Sequence, residues 1–418
     1  MSKIAIIGAG ISGLTTGRLL QANAANQVVI YEKQAQAGGL CQCRRIDGSL
    51  FHLCGGHVFN SKRQDVLDWF WQHFDRESEF TLARRNSVIS MQDGQLVPYP
   101  IEDHVYCLGK EVLEQFMREL DLIEQSQSGG QEPENFEQFL RMRFTDTLYR
   151  LYFEPYNKKI WRTDLSRVPL SWLEGKLPMP TPEQMRQSNL NHTEEQSFVH
   201  SSFYYERQDG SQFLVNRLAQ GLDIRYDSPV EQISVHGSQV SVNGENYDKI
   251  VYCGNIKDLI GAVHNIPIHD SLRRGVEQLR FHGTTTAFCH LDRNPYSWIY
   301  QPSPDHPSHR IICTGNFSET NNAPGTMTGT VEFTDYISEK DIRCALERMS
   351  FNPRYITHHF SPCTYPIQDA GTRQLINTLR ELLAPHGIYF TGRFADWEYY
   401  NMDVAMGAAM DLYHRFSI

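Results

Sequence analysis

The chain has 418 residues, 40% of them hydrophobic and 21% charged, long enough for two or three domains with a substantial buried core. A formal net charge of −10 argues against a nucleic-acid partner and makes any Arg or Lys cluster aimed at a phosphate a local exception. No apolar run approaches the ~18 residues of a membrane span, residues 4–7 are too short for the apolar part of a secretion signal, and the scattered cysteines, with no Cys-x-x-Cys pair, suit reduced thiols in a cytoplasmic protein.

Residues 4–7, Ile-Ala-Ile-Ile, form an apolar run of the kind that makes a fully buried parallel strand. Gly8, Gly10 and Gly13 follow it at the dinucleotide-binding spacing. The first permits the tight turn, the second lets a pyrophosphate approach the backbone, and the third lets helix and sheet pack closely. Leu14, Arg18 and Leu19 continue as a helix whose N-terminus offers amides and positive dipole to phosphates. Residues 28–30 are a second strand, and Glu32 ends it at about the ~20-residue spacing where an acid accepts ribose hydroxyls. With strand, helix and acid all in place, a dinucleotide is expected here.

Residues 63–75 place Val66, Phe70 and Phe74 on one helical face. Short strands are expected at 86–90 and 95–98 around a turn at Asp93-Gly94. Val112, Leu113, Phe116, Met117 and Leu120 then give a helix over 110–123. Asn135 caps another helix, and a further helical stretch runs through Leu148, Leu151 and Tyr152. Residues 178–200, rich in Pro and Asn, read as a long loop. After a helix at 213–222 and a strand at 224–226, residues 230–235, 239–243 and 248–253 read as a meander with turns at Gly237 and Gly244. Strands at 284–291, 298–301, 310–314 and 329–333 form a separate antiparallel sheet. A buried strand from Ile388 and a helix at 404–415 close the chain. The pairs His306 and His309, His358 and His359 have no Cys or carboxylate cluster beside them, so no metal is expected.

Gly38-Gly39-Leu40 resembles the second glycine motif of FAD proteins in the glutathione-reductase-like superfamily, and residues 51–59, Phe-His-Leu-Cys-Gly-Gly-His-Val-Phe, resemble the flavin-facing loop of the UDP-galactopyranose mutase family. Further stretches resemble that family in its own order. Val97-Pro98-Tyr99-Pro100-Ile101 is similar to a segment of its eukaryotic-type members, with Glu102 where that branch has an amide. Residues 152–161 and 169–178 resemble a uridine-holding and a diphosphate-holding segment; Tyr156 and Trp161 take aromatic positions, and Lys176 stands where the family has Arg. Tyr300 and Arg310 fall on a pyrophosphate-gripping strand pair, with Glu332 the alternative partner for an Arg inside an apolar strand. Gly392-Arg393 and Tyr399 resemble the family's flavin-side Arg and phosphate-binding tyrosine, with Asn401 where the bacterial branch has Asp, and Tyr365 resembles another active-site tyrosine.

The resemblance implies an α/β fold: a Rossmann-like, glutathione-reductase-like FAD-binding domain with a helical insertion and an antiparallel β-sheet domain. The FAD domain would comprise residues 1–78, 207–258 and 366–418, the β-sheet substrate domain 79–104 and 259–365, and the helical domain 105–206. It implies FAD, active when reduced, bound by Gly8, Gly10, Gly13, Glu32, Gly38, Gly39, Leu40, Gly392, Arg393 and Met402. His57 and Arg393 would act beside flavin N5, the nucleophile. Tyr99, Tyr156, Trp161, Lys176, Tyr300, Arg310, Tyr365, Tyr399 and Asn401 would hold a nucleotide-diphosphate sugar, UDP-linked. The implied reaction is pyranose–furanose interconversion through a flavin N5–sugar adduct without net redox change, sustained by a reductant such as NAD(P)H. A homo-oligomer is compatible with it. The alternatives are an FAD oxidoreductase of the amine-oxidase or protoporphyrinogen-oxidase type, and a nucleotide-sugar-binding relative without turnover.

Overall fold

The computed structural model describes residues 2–127, 132–170, 180–192, 202–237 and 239–416. Its first sheet is assembled from three stretches of chain. Ser2–Ile7 lies at the centre, with Lys249–Tyr252 and then Ile388–Phe390 on one side, and Asn26–Tyr31 and then Asp223–Arg225 on the other, all parallel. Both faces are covered, which is why residues 4–7 show no polar alternation. On one face Ile4 and Ile6 meet Leu14 of the helix Ile11–Gln21 and Met406 and Met410 of the C-terminal helix Met402–Phe416. On the other face Ala5 and Ile7 meet a four-stranded layer and the helix Thr372–Leu383.

That four-stranded layer corrects the expected meander. Ile233–His236, Gln239–Val242 and Glu245–Tyr247 run antiparallel, and Val263–His264 joins at the edge. Residues 248–253 are not its third strand. Lys249–Tyr252 crosses into the parallel sheet beside Ser2–Ile7, in register Ile4 to Lys249 through Ile7 to Tyr252. Ile250, Val251 and Tyr252 are buried consecutively, a pattern that suits a strand covered on both faces.

A second sheet has the order Arg354–Ile367, Arg280–His290, Thr328–Thr334, Ser308–Ile312, Trp298–Tyr300, Ser87–Ser90, Leu96–Pro98. It is antiparallel except between Trp298–Tyr300 and Ser87–Ser90. Its edge strand Arg354–Ile367 escapes a hydrophobicity reading, because residues 355–360 include Thr357, His358 and His359 and are only partly buried. Pairing with Arg280–His290 defines it.

Helices pack against the second sheet. Lys110–Gln127 and Phe136–Leu148 pack together, and Asn135 caps the second by accepting from Gln138 N at 3.0 Å. A wide π-type turn, Tyr149–Phe153, leads into the helix Glu154–Trp161. Within the stretch expected to be a loop, Pro182–Asn191 is helical. Its start is a capping box, Thr181 with Gln184, and Met185 and Asn189 face inward. A helix with so little apolar surface is signalled by its cap rather than by periodicity.

Candidate active site

The turn after Ser2–Ile7 opens into a groove of about 430 Å³. Gly8, Gly10, Glu32, Gly38, Gly39, Leu40 and Met402 of the expected cofactor set line it, as do His57 and Arg393 at its inner end. The two remaining members act from behind the wall. A Cβ at Gly13 would stand 1.9 Å from the Gly8 carbonyl oxygen, so its absence permits helix–strand contact. Gly392 has φ +116°, and its amide donates to Asp396 Oδ2 at 3.0 Å. At Gly10, by contrast, a Cβ would meet nothing within 4 Å, which marks open groove at the helix N-terminus. The first turn of Ile11–Gln21 carries no acid to cancel its dipole. Glu32 is held by the amides of Ala9 at 2.8 Å and Gln34 at 2.9 Å. These features fit an extended dinucleotide, with phosphates over Gly10 and a ribose toward Glu32.

At the inner end His57 Nε2 donates to the Leu40 carbonyl at 2.9 Å, which fixes its proton on that nitrogen. Burial, and secondarily the Arg393 charge, push its pKa down to about 4, so the ring is neutral near pH 7. Arg393 donates to Tyr400 O at 3.0 Å and to Thr364 O at 3.2 Å. Among the described residues no carboxylate pairs with it within 4.0 Å, so its charge faces the groove uncancelled.

The second sheet delivers the other half of the site through its register. Tyr300 lies opposite Arg310, and Arg310 opposite Glu332, so three neighbouring strands set one row of side chains on one face. Arg310 Nε donates to Glu332, whose other oxygen accepts from Gly55 N at 2.7 Å in the loop before His57. A terminal nitrogen of Arg310 donates to Tyr365 Oη at 3.3 Å. Tyr365 stacks on Tyr399, centroids 5.3 Å apart and planes 5° apart, and Arg393 lies 4.5 Å over the Tyr399 ring. On the other flank Tyr300 packs against Tyr99 at 5.1 Å and edge-on to Tyr156 at 5.5 Å, and Tyr156 stacks on Tyr152 at 5.4 Å.

Burial holds the hydroxyls of Tyr152, Tyr156 and Tyr365 well above the usual phenol pKa, so they remain protonated. Tyr365 accepts from Arg310, and Tyr300 accepts from Arg85. Each hydroxyl therefore keeps its own proton to donate elsewhere. Around Arg310, burial tends to discharge the guanidinium, but the charge of Glu332 prevails and its pKa stands raised.

Three expected substrate residues are not in this group. Trp161 is 2% exposed in the helical core, with its carbonyl accepting from His282 Nε2 at 2.9 Å, because its helix turns that position inward. Asn401 lines the cofactor groove instead, since it immediately precedes the helix Met402–Phe416. Lys176 lies outside the described residues. Arg85, which carries no motif in the sequence, sits 5.2 Å from the Tyr99 ring and 4.9 Å from Trp298. Placed just before the strand Ser87–Ser90, it looks in sequence like any charged strand end. All nine cysteines are free thiols, and among the described residues no group of three His, Cys, Asp or Glu is arranged to hold a metal. No described helix is long and apolar enough to cross a membrane.

Fold and groove define an α/β protein of the FAD-binding Rossmann type. A family model described as an NAD(P)-binding Rossmann-like domain matches residues 6–74. The dTDP-fucopyranose mutase of Escherichia coli is 27% identical over 182 residues, 43% of this chain and 46% of that protein. The UDP-galactopyranose mutase of Mycoplasma pneumoniae is 24% identical over 275 residues, 61% of this chain and 62% of that one. These matches thus span less than two thirds of either relative's length. A crystal structure of reduced UDP-galactopyranose mutase shares the fold across 100% of this chain and 94% of its own, with TM-score 0.88 and 20% identity. In sequence and fold the chain is similar to UDP-galactopyranose and dTDP-fucopyranose mutases.

Proposed function

We propose that the protein is a flavin-dependent nucleotide-sugar mutase that interconverts pyranose and furanose forms of its sugar without net redox change. The observation that carries this reading is the unbroken run Arg393–Tyr399–Tyr365–Arg310, which joins the inner end of the cofactor groove to a second cation. An enzyme of this class needs a flavin edge and a leaving diphosphate held side by side, and the run supplies a cation at each end with phenols between. The named activities of the two relatives, on UDP-galactopyranose and dTDP-fucopyranose, support the same reading and suggest a pyrimidine nucleotide.

In this reading Gly8, Gly10, Glu32, Gly38, Gly39, Leu40 and Met402 form the walls that hold FAD, while Gly13 and Gly392 let those walls close. Bound in its reduced form, the flavin supplies an electron-rich N5 to the anomeric carbon. The rest belongs to the chain. Arg393 offers positive charge to an electron-rich flavin, and neutral His57 fills the loop beside it without adding a competing charge. Arg310 neutralises the departing diphosphate, and the free protons of Tyr300 and Tyr365 donate to its oxygens, so that charge is stabilised as the sugar–oxygen bond breaks. Tyr99 and Tyr156 wall the nucleotide side, with Tyr152 and Arg85 behind them. Tyr399 separates the two cations, and the packed rings limit water.

The test is a titration of the purified yellow protein with UDP, dTDP and ADP, before and after dithionite, followed by assay of UDP-galactopyranose and dTDP-fucopyranose. Pyrimidine-diphosphate binding that changes on reduction, with turnover only in the reduced state, is the expected result. Absence of nucleotide binding in both states would instead favour an oxidase of a phosphate-free substrate. Binding without turnover would leave a nucleotide-sugar-binding relative.

A further inference from the structure

A second cavity, of about 530 Å³, lies between the helix Glu154–Trp161 and the turn at 304–307, and shares no lining residue with the cofactor groove. Its wall carries Arg150, Lys158, Lys159 and Arg162 against one carboxylate, Glu154. On a chain of formal net charge −10 the lining side chains of this cavity are mostly cationic. Three of these cations hold exposed ion pairs: Arg150 with Asp146 at 2.6 Å, Lys158 with Glu154 at 2.7 Å, and Arg162 with Asp335 at 3.5 Å. Such pairs are weak in water and give way readily to a better anion.

Lys159 is different. Its Nζ donates to two main-chain carbonyls, Gln301 at 2.6 Å and Ser308 at 2.9 Å, and among the described residues it forms no ion pair within 4.0 Å. Burial pushes its pKa down to about 7, with only the field of Asp305 opposing. A desolvated ammonium facing a cavity gains more from an incoming anion than an exposed one does. At the same wall His306 Nδ1 is buried with no hydrogen-bond partner among the described residues. The remaining lining, Pro155, Pro304 and Pro307, offers no aromatic face on which a base would stack.

We propose that this cavity is an anion site distinct from the flavin groove, taking a compact oligophosphate or sugar phosphate rather than a nucleotide. The cavity is larger than one phosphate needs, and the cations are spread around it, so a ligand with more than one phosphoryl group engages them together.

Inorganic tripolyphosphate is the probe, titrated calorimetrically into the intact flavoprotein at fixed ionic strength, with and without saturating UDP. One-site binding that persists with UDP present is expected. The double variant Arg150→Gln, Lys158→Gln changes only exposed side chains and should weaken it by about tenfold or more. Lys159→Met should weaken it at least as much, with circular dichroism reporting its fold. Displacement of tripolyphosphate by UDP, or unchanged affinity in the double variant, overturns the proposal. Because no turnover enters the measurement, its outcome is independent of the mutase reading.

Discussion

Arg310 and Glu332 meet across neighbouring strands, and Glu332, 1% exposed, reaches the loop before His57 with its second oxygen at Gly55 N, 2.7 Å away. This pair therefore connects the second sheet to the loop that carries His57. The carboxylate is held strongly in its charged form because Arg310 outweighs the burial that would protonate it.

Glu332→Gln should leave Arg310 buried without its counter-charge. Removing one partner of such a pair costs roughly 3–5 kcal/mol. The loss is expected as a lower denaturant midpoint with unchanged slope, and Arg310→Met combined with Glu332→Leu should recover part of it. A midpoint equal to that of the parent would mean that solvent already screens the pair.

If Arg310 holds the diphosphate, Arg310→Ala should weaken UDP binding roughly tenfold or more while the protein remains yellow. Calorimetry with UDP and the flavin absorbance of the same sample give both quantities. Unaltered UDP affinity would reduce Arg310 to a structural ion pair.

His52 is buried and His57 half-buried, and both are neutral, with pKa pushed down to about 3 and about 4, desolvation being the larger cause in each. In the unfolded chain a histidine takes up its proton near pH 6.5. Below that pH the unfolded state binds protons that the folded state refuses, so stability falls as pH drops from about 6.5 toward about 4. His57→Gln keeps a donor for the Leu40 carbonyl and should flatten that decline in urea midpoints between pH 7 and pH 4.

Glu206 runs in the opposite direction. It is fully buried, neither carboxylate oxygen has a hydrogen-bond partner among the described residues, and desolvation pushes its pKa up to about 8. The folded state keeps a proton that the unfolded state has released, so stability falls as pH rises from about 4.5 to about 8. Each unit across that window costs about 1.4 kcal/mol. Glu206→Gln should match the parent near pH 4.5 and melt higher than it at pH 8; parallel melting curves at the two pH values would contradict the assignment.

Gly13→Ala places a methyl group 1.9 Å from the Gly8 carbonyl oxygen. Backbone cannot yield there without displacing the glycine turn, so the variant should purify with little flavin. Gly10→Ala, with nothing within 4 Å, should fold but compete with the phosphates and bind FAD more weakly. Equal flavin content in parent and Gly13→Ala would show that the turn adapts.

Local rules read the glycine turn, the strand before it, the helix after it and Glu32 directly from sequence, since each depends on neighbours only a few residues away. The same holds for the helix Gln64–His73 and for the Asn135 cap. Where two placements satisfy the same local pattern, sequence does not choose. Residues 248–253 suit an outer layer or the buried sheet, and burial beside Ser2–Ile7 settles them in the second. The polar half of Arg354–Ile367 is a strand because Arg280–His290 pairs with it, not because its composition asks for one.

What the sequence by itself determined was the dinucleotide turn and the set of aromatic and cationic residues, because motif spacing is a property of the chain alone. Tertiary structure decided which of them meet. Cross-strand register set Tyr300, Arg310 and Glu332 in one row and brought Arg85 beside Tyr300, while helix placement buried Trp161 in the helical core and put Asn401 at the groove. Contact across distant segments depends on strand pairing and packing, whose energies sum over the whole fold and leave no mark on any single stretch of sequence.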